Sequence, residues 1–429
     1  MMLRALGLLS SSAVLATLFS VLTSKIIAVY SGPEGIALMG LYRGLGSWVT
    51  GALTLGYGVI LTQRMAAARS KEESDTVLCG SALLLCLQLG AVMILAGFLA
   101  RPLSAWLFQS TEHVLVVRLV LAMSLVNLVL QMITALLRGQ QEAAPPSFLH
   151  VATACASLAM IYPLLGLGAR GLAVNVGSGG LVGVPLGLFF IWKRFRPALP
   201  TDALTRGWRF LKGSTTQSLW LILSLVFTSG CLLAAQSVVN AGYGLEALGS
   251  YNAALLIADT GVMILMSSAR TYLLPAMGKI SDPEQLEIFF SRSTGIAVLL
   301  MIAAGLFLAF GAQMLTRALF SSKFVAAAEL LPIFAVSLAG QAVVWSFNTF
   351  LLHKGDIRSF VLIDLAWAAM LFATVWLCAW LRLPLATVAW AHALSWSASA
   401  LLYIVFTRRA HGSGLLSVRH FRRWASEPS

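Results

Sequence analysis

Runs of about 20 apolar residues return from one end of the chain to the other, broken by short clusters of Gly, Pro and charge. Each run is long enough to cross a hydrocarbon core about 30 Å thick. The pattern predicts twelve helices, at 6–30, 36–62, 77–100, 113–137, 147–168, 171–192, 214–240, 247–274, 292–313, 328–352, 359–381 and 384–407. The first run follows a lone Arg4 but continues past the length of a leader, without a small-x-small cleavage site. It is therefore read as a retained helix. The predicted fold is an all-α polytopic membrane protein with no large soluble domain.

One stretch stands out, Lys25 to Arg43, where Ser31-Gly32-Pro33-Glu34-Gly35 separates the first two helices. Pro33 cannot continue the first helix, and the flanking glycines permit backbone angles that other residues avoid. The spacing predicts a membrane hairpin with a five-residue turn. Lys25 and Arg43 then lie at similar depth, about 9–12 Å below one membrane face at helical rise. A cation at that depth snorkels, pairs, or lines a water-filled cavity.

Composition agrees with the pattern: 59% of residues are apolar and 10% charged, with a mean hydropathy of +0.87. The net charge of +13 is explained by where the cations fall. Twelve helices put both termini on one side. The outer connections then hold Arg101, Arg170, Arg317, Lys323 and Arg382, five cations, whereas the inner set holds twenty-one. By the positive-inside rule both termini are cytoplasmic, and the basic excess reads as topology signal and contact with lipid heads, with no nucleic-acid partner.

The longest inner connection, around 193–213, falls at the middle of the chain. The expected organisation is an N-terminal six-helix lobe over 1–195, an inter-lobe linker over 196–213, a second six-helix lobe over 214–410 and a basic tail over 411–429. The halves repeat: Gly40-Leu-Tyr-Arg43-Gly is echoed by Gly249-Ser-Tyr-Asn252-Ala, and Leu103…Ser110 by Leu315…Ser322, at offsets of 209 and 212. Lobes in the same orientation are related by a pseudo-two-fold axis along the membrane normal, with a substrate site between repeats. The five cysteines show no metal or redox spacing, and no phosphate loop, metalloprotease helix or nucleophile elbow occurs. Gly177-Ser178-Gly179-Gly180 reads as close helix packing. The expectation is a transporter without cofactor or metal, not an enzyme.

Lys25-Ile-Ile-Ala-Val-Tyr-Ser-Gly-Pro-Glu-Gly35, Tyr42-Arg43, Arg118-Leu-Val, Ser267…Tyr272-Leu-Leu-Pro275 and Ser322-Lys-Phe324 together resemble the Wzx-type polysaccharide transporter flippases, nearest to the enterobacterial common antigen lipid III and O-antigen branch. These belong to the multidrug/oligosaccharidyl-lipid/polysaccharide (MOP) exporter superfamily, whose fold is two six-helix lobes. The resemblance implies translocation of an undecaprenyl-pyrophosphate-linked oligosaccharide from the cytoplasmic to the periplasmic leaflet of a bacterial inner membrane. Its partners would be that lipid-linked glycan, membrane lipids and other polysaccharide-assembly membrane proteins.

Three cations, Lys25, Arg43 and Arg118, lie inside the predicted helices of the first lobe, with no carboxylate at their depth. They are the candidates for pyrophosphate binding, Arg supplying paired donors and Lys a point charge; the competing reading is snorkelling to outer lipid heads. Asp259, near the midplane, and Asp364, nearer the cytoplasm, are the candidates for ion coupling, against the reading of hydrogen-bonded structural acids. Asn127, Gln131, Gln236, Asn252, Gln341 and Asn348 are interhelical hydrogen-bonding groups or sugar contacts. Two other functions fit parts of the pattern: an ion-coupled multidrug exporter, which favours acids in the first lobe, and a non-transporting membrane scaffold, which needs no accessible cation.

Overall fold

A computed structural model describes residues 2–54, 56–140, 144–195, 202–212, 215–278, 280 and 282–411. Among these residues all regular structure is helical. The expected basic tail, apart from His411, lies outside the described residues, as do the side chains of Ser267, Arg270, Tyr272 and Pro275.

Helix α1 (Met2–Thr54) is regular except at Gly32, with φ 65° and ψ −160°. A Cβ at Gly35 would stand 3.3 Å from Ile27 Cγ2. In an unbroken helix those residues would be about 12 Å apart along the axis, so the chain doubles back. The hairpin is present, but its turn is narrower than expected. A single glycine makes the break, and Pro33 then starts the second arm at a position where its missing N–H costs nothing.

Helix α2 (Tyr57–Ala67) continues the second arm beyond a left-handed Gly56. Helix α3 (Lys71–Ile94), a π-turn at Leu95–Leu99 and α4 (Ala100–Phe108) form one apolar run, longer at both ends than the pattern suggested. The early start has a local cause. The Ser70 hydroxyl accepts the Glu73 N–H at 3.1 Å, so the charged stretch after Ser70 is a capped first turn rather than a loop. Then come α5 (Val114–Gly139), α6 (Ala144–Leu165) and α7 (Ala169–Phe195).

The stretch 196–213, expected to be a linker, contains a ten-residue helix, α8 (Ala203–Lys212), docked on α3. A Cβ at Gly207 would lie 3.0 Å from the Cys79 carbonyl oxygen, and Gly80 sits directly under the Phe210 ring. The Tyr57 hydroxyl donates to the Leu211 carbonyl at 3.2 Å. Arg206 pairs with Glu72 at 3.1 Å and with Asp202 at 2.8 Å, and that hydrogen bond holds the Asp202 carboxyl below its ordinary range.

The remaining helices are α9 (Thr215–Tyr243), α10 (Leu245–Met277), α11 (Pro283–Phe310), α12 (Ala312–Leu319), α13 (Val325–Lys354), α14 (Ile357–Trp380) and α15 (Leu385–His411). Ten described stretches are long and apolar enough to span a membrane. The first is folded at Gly32 into two, and α10 runs a further 33 residues. The described helices thus agree with about twelve spans in a multi-pass membrane protein.

Two compact units form, Met1–Ala241 and Gly242–Ser429. In the first, α7 packs on α5 and α6. Glycines make this possible: a Cβ at Gly183 or Gly187 would collide with Leu130 and Thr153, or with Ile133. In the second, α13 packs against α10, α11 and α15 around Phe290, Phe347 and Phe350. Helix α9 up to Ala241 belongs to the first unit by its contacts. Gly44 faces Leu233 and Gln236, and Asn240 Nδ2 donates to the Leu107 carbonyl at 3.0 Å.

Candidate functional site

The first unit contains a cavity of about 240 Å³ bordered by α1, α5, α6 and α7. Ala16, Ser20 and Thr23 contribute one stripe of the first arm of α1, at i, i+4, i+7 spacing. Arg43 enters from the second arm. Asn127 and Leu130 come from α5, His150, Thr153 and Ser157 from α6, and Asn175 and Gly179 from α7. Gly179 lets α7 approach α6 until a Cβ there would overlap the Thr153 carbonyl. The Gly-rich stretch of α7 therefore serves helix packing, as its sequence suggested.

Backbone groups already fix most of the neutral lining. Thr23 donates to the Phe19 carbonyl at 2.8 Å and Thr153 to that of His150 at 2.9 Å. Asn127 Nδ2 donates to Val176 O at 3.0 Å, Asn175 Nδ2 to Ser157 O at 3.1 Å, and the Gly179 N–H to Ser157 Oγ at 3.1 Å. Among the described residues the Arg43 guanidinium has no hydrogen bond or ion pair, and no carboxylate lines the cavity. Its neighbour Tyr42 is completely buried, edge-on to Phe108 with ring centroids 5.8 Å apart, and so anchors the arm that carries Arg43. A half-buried cation among neutral dipoles favours an anion, and a planar guanidinium favours a phosphate or carboxylate held by two parallel donors.

The other sequence candidates lie elsewhere. Lys25 is exposed on the stripe of Leu18, Leu22 and Val29, about 200° around the helix from Thr23. It does not line the Arg43 cavity. Arg118 is exposed as well, and its Nε donates to the Ala96 carbonyl, in the π-turn, at 3.3 Å. The three cations thus do not converge on one cavity. Asp259 is half-buried on α10, with no side-chain hydrogen bond or ion pair among the described residues. Asp364 accepts a hydrogen bond from the Tyr403 hydroxyl at 2.8 Å.

Among the polar groups, Asn127 is in the cavity, while Gln341 donates to Ser337 at 3.0 Å and serves helix structure. His150, Thr153, Ser157 and Asn175 were missed. The signal for the first three is an i, i+3, i+7 polar stripe along an otherwise apolar span. Asn175 stands two residues before the Gly-rich stretch and offers no such pattern.

The family described as "Polysaccharide biosynthesis protein" matches residues 2–281. The lipid III flippase of Escherichia coli (strain K12) is 23% identical over 358 residues, covering 80% of this chain and 83% of the relative. The lipid III flippase of Shigella flexneri matches to the same extent. Among solved structures, an inward-facing multidrug resistance MATE family transporter of the MOP superfamily superposes with TM-score 0.74 at 16% identity, over 94% of this chain and 95% of that one. A MOP superfamily transporter from Pyrococcus furiosus, described as having a binding pocket of reverse polarity, gives 0.66 at 16% identity, over 95% of each chain. The fold is that of the MOP superfamily.

Proposed function

From the premise that this chain belongs to the polysaccharide biosynthesis protein family, whose match spans more than half of its residues, we propose that it is a flippase for a polyprenyl-pyrophosphate-linked oligosaccharide. It moves this lipid from the cytoplasmic to the periplasmic leaflet of a bacterial inner membrane, with both termini in the cytoplasm.

The observation that carries this reading is the Arg43 cavity: among the described residues it has one guanidinium, a lining of amides, hydroxyls and an imidazole, and no carboxylate. In such a site Arg43 clamps the pyrophosphate while Asn127, Asn175 and His150 supply neutral contacts beside it. The polyprenyl tail stays in the bilayer. Alternating access, expected of a transporter built from two repeats, turns this site toward each leaflet in turn. Lys25 and Arg118, on exposed faces, meet phosphate before or after this pose rather than within it. Asp259, half-buried, is the candidate for ion coupling; Asp364 is a weaker one, being engaged by Tyr403.

A multidrug exporter of the same fold would take a cationic substrate, and a cavity holding Arg43 without an acid disfavours that cargo. A scaffold has no use for an accessible cation, yet Arg43 faces open space and Lys25 is exposed. The test is reconstitution in liposomes with a fluorescent polyprenyl-pyrophosphate glycan, read by a probe that modifies only the outer leaflet. Translocation by the wild-type protein with loss in Arg43→Ala supports the reading. Equal translocation by the two overturns the assignment of Arg43, and none by wild type overturns the function.

A further inference from the structure

A second cavity, of about 340 Å³, lies in the second unit where α11, α12 and α13 meet. Its polar lining consists of Gln313, Thr316, Arg317, Ser321, Ser322 and Glu329. Phe310 forms one apolar wall and is 89% exposed. Under the topology read from the charges, this cavity opens on the outer side of the membrane.

Thr316 is only 1% exposed, yet its hydroxyl has no hydrogen-bond partner among the described residues. A buried hydroxyl left unpaired keeps its desolvation penalty without a compensating bond, so its persistence calls for a reason. The internal repeat supplies a control. At the offset of 212 residues, Ser104 and Ser110 in the first half correspond to Thr316 and Ser322. There the Ser104 hydroxyl donates to the Ser110 carbonyl at 2.7 Å and closes the loop after α4. In the second half that closure is not made, and Thr316 lines a cavity instead. Arg317 and Glu329, of opposite sign, border the same space, but no ion pair joins them among the described residues.

We infer that this cavity is a carbohydrate-binding subsite, which takes the glycan portion of the substrate on the outer side. A saccharide presents donors and acceptors in alternation and no net charge at most positions. It is met by side chains that offer both, and here a guanidinium, a carboxylate, an amide and hydroxyls surround one opening beside an exposed aromatic ring. A phosphate-bearing head group has no use for Glu329. Identification of the sugar as the transported cargo rests on the flippase reading; binding itself does not.

The full chain in nanodiscs of neutral lipid, applied to an array of bacterial surface oligosaccharides, tests the inference. The expected result is a glycan bound by wild type and about three- to tenfold more weakly by Thr316→Val or Glu329→Gln, the size of one lost hydrogen bond. Thr316→Val keeps the side-chain shape and removes an unpaired hydroxyl, so its thermal midpoint stays equal or rises. Ser104→Ala serves as the contrast, with a lowered midpoint and unchanged glycan binding. The inference falls if wild type binds no glycan, if binding ignores both substitutions, or if only acidic phospholipid competes for the site. Thr316-dependent glycan binding by a protein that fails to translocate lipid-linked glycans in liposomes would sink the flippase reading and leave this one standing.

Discussion

The Tyr403 hydroxyl donates to Asp364 Oδ1 at 2.8 Å, joining α15 to α14 across 39 residues of sequence. Tyr403 is completely buried, so loss of this acceptor leaves a phenol with only a longer contact, 3.4 Å, to the Phe360 carbonyl. Asp364→Ala should destabilise the second unit by about 1–3 kcal/mol, whereas Asp364→Asn, which keeps a carbonyl acceptor, should cost less than about 1 kcal/mol. Thermal unfolding in detergent separates them. If Asp364 is the structural acid this bond suggests, the Asn variant also keeps wild-type transport.

Asp259 presents the opposite situation, a half-buried carboxylate with no side-chain hydrogen bond or ion pair among the described residues. Asp259→Asn should transport without dependence on an imposed pH gradient, because the amide fixes the uncharged form. Liposome flipping measured with and without the gradient checks this. Unchanged gradient dependence removes Asp259 from the mechanism.

Arg43 and Lys25 should differ in effect. Arg43→Ala is expected to lower translocation by more than about tenfold, since a charge-assisted contact is worth about 1.5–3 kcal/mol. Arg43→Lys should recover only part of it, because an ammonium cannot make the paired contact. Lys25→Ala, outside the cavity, should lose less than Arg43→Ala. Equal loss in the two would return Lys25 to the same site.

The spans were legible because a bilayer imposes length and apolarity on each segment. What escaped the pattern depended on pairs distant in sequence or on a single backbone angle. Nothing near Asp364 in the chain announces Tyr403. Helix α8 hides in a charged, Pro-containing stretch because its ten residues gain their order from α3, through Gly80 under Phe210. Arg43 was found by its charge in an apolar run, but its separation from Lys25 follows from helical phase around a hairpin whose turn proved to be one residue. The cavity partners His150 and Asn175 are common polar residues, and only the approach of α6 and α7 at Gly179 brings them together.

The docking of α8 leads to a prediction outside the membrane. Gly207→Val would drive a branched side chain toward the Cys79 carbonyl and should cost about 1–3 kcal/mol, exposing 202–212 to protease. Acid should act in the same direction. Hydrogen bonding to Arg206 lowers the Asp202 carboxyl below its ordinary value of 3.8, so its contribution is present above that pH and is lost as pH falls through the folded value. Proteolysis at α8 should therefore rise below about pH 4 in wild type, and less so in Asp202→Asn.

Gly32 offers the sharpest test of the hairpin. At φ 65° and ψ −160° it occupies a region open essentially to glycine alone. A Cβ there would meet nothing within 4 Å, so any cost of Gly32→Ala comes from the backbone and not from a clash. That cost should be about 1–3 kcal/mol. Gly90, inside α3, also has open space around a built Cβ but ordinary helical angles. Gly90→Ala should therefore stabilise by up to about 1 kcal/mol. Two identical substitutions with opposite signs in thermal midpoint would place the strain at Gly32. A Gly32→Ala variant as stable as Gly90→Ala would mean that the arms of α1 can turn without a left-handed residue, and the one-glycine hinge would have to be abandoned.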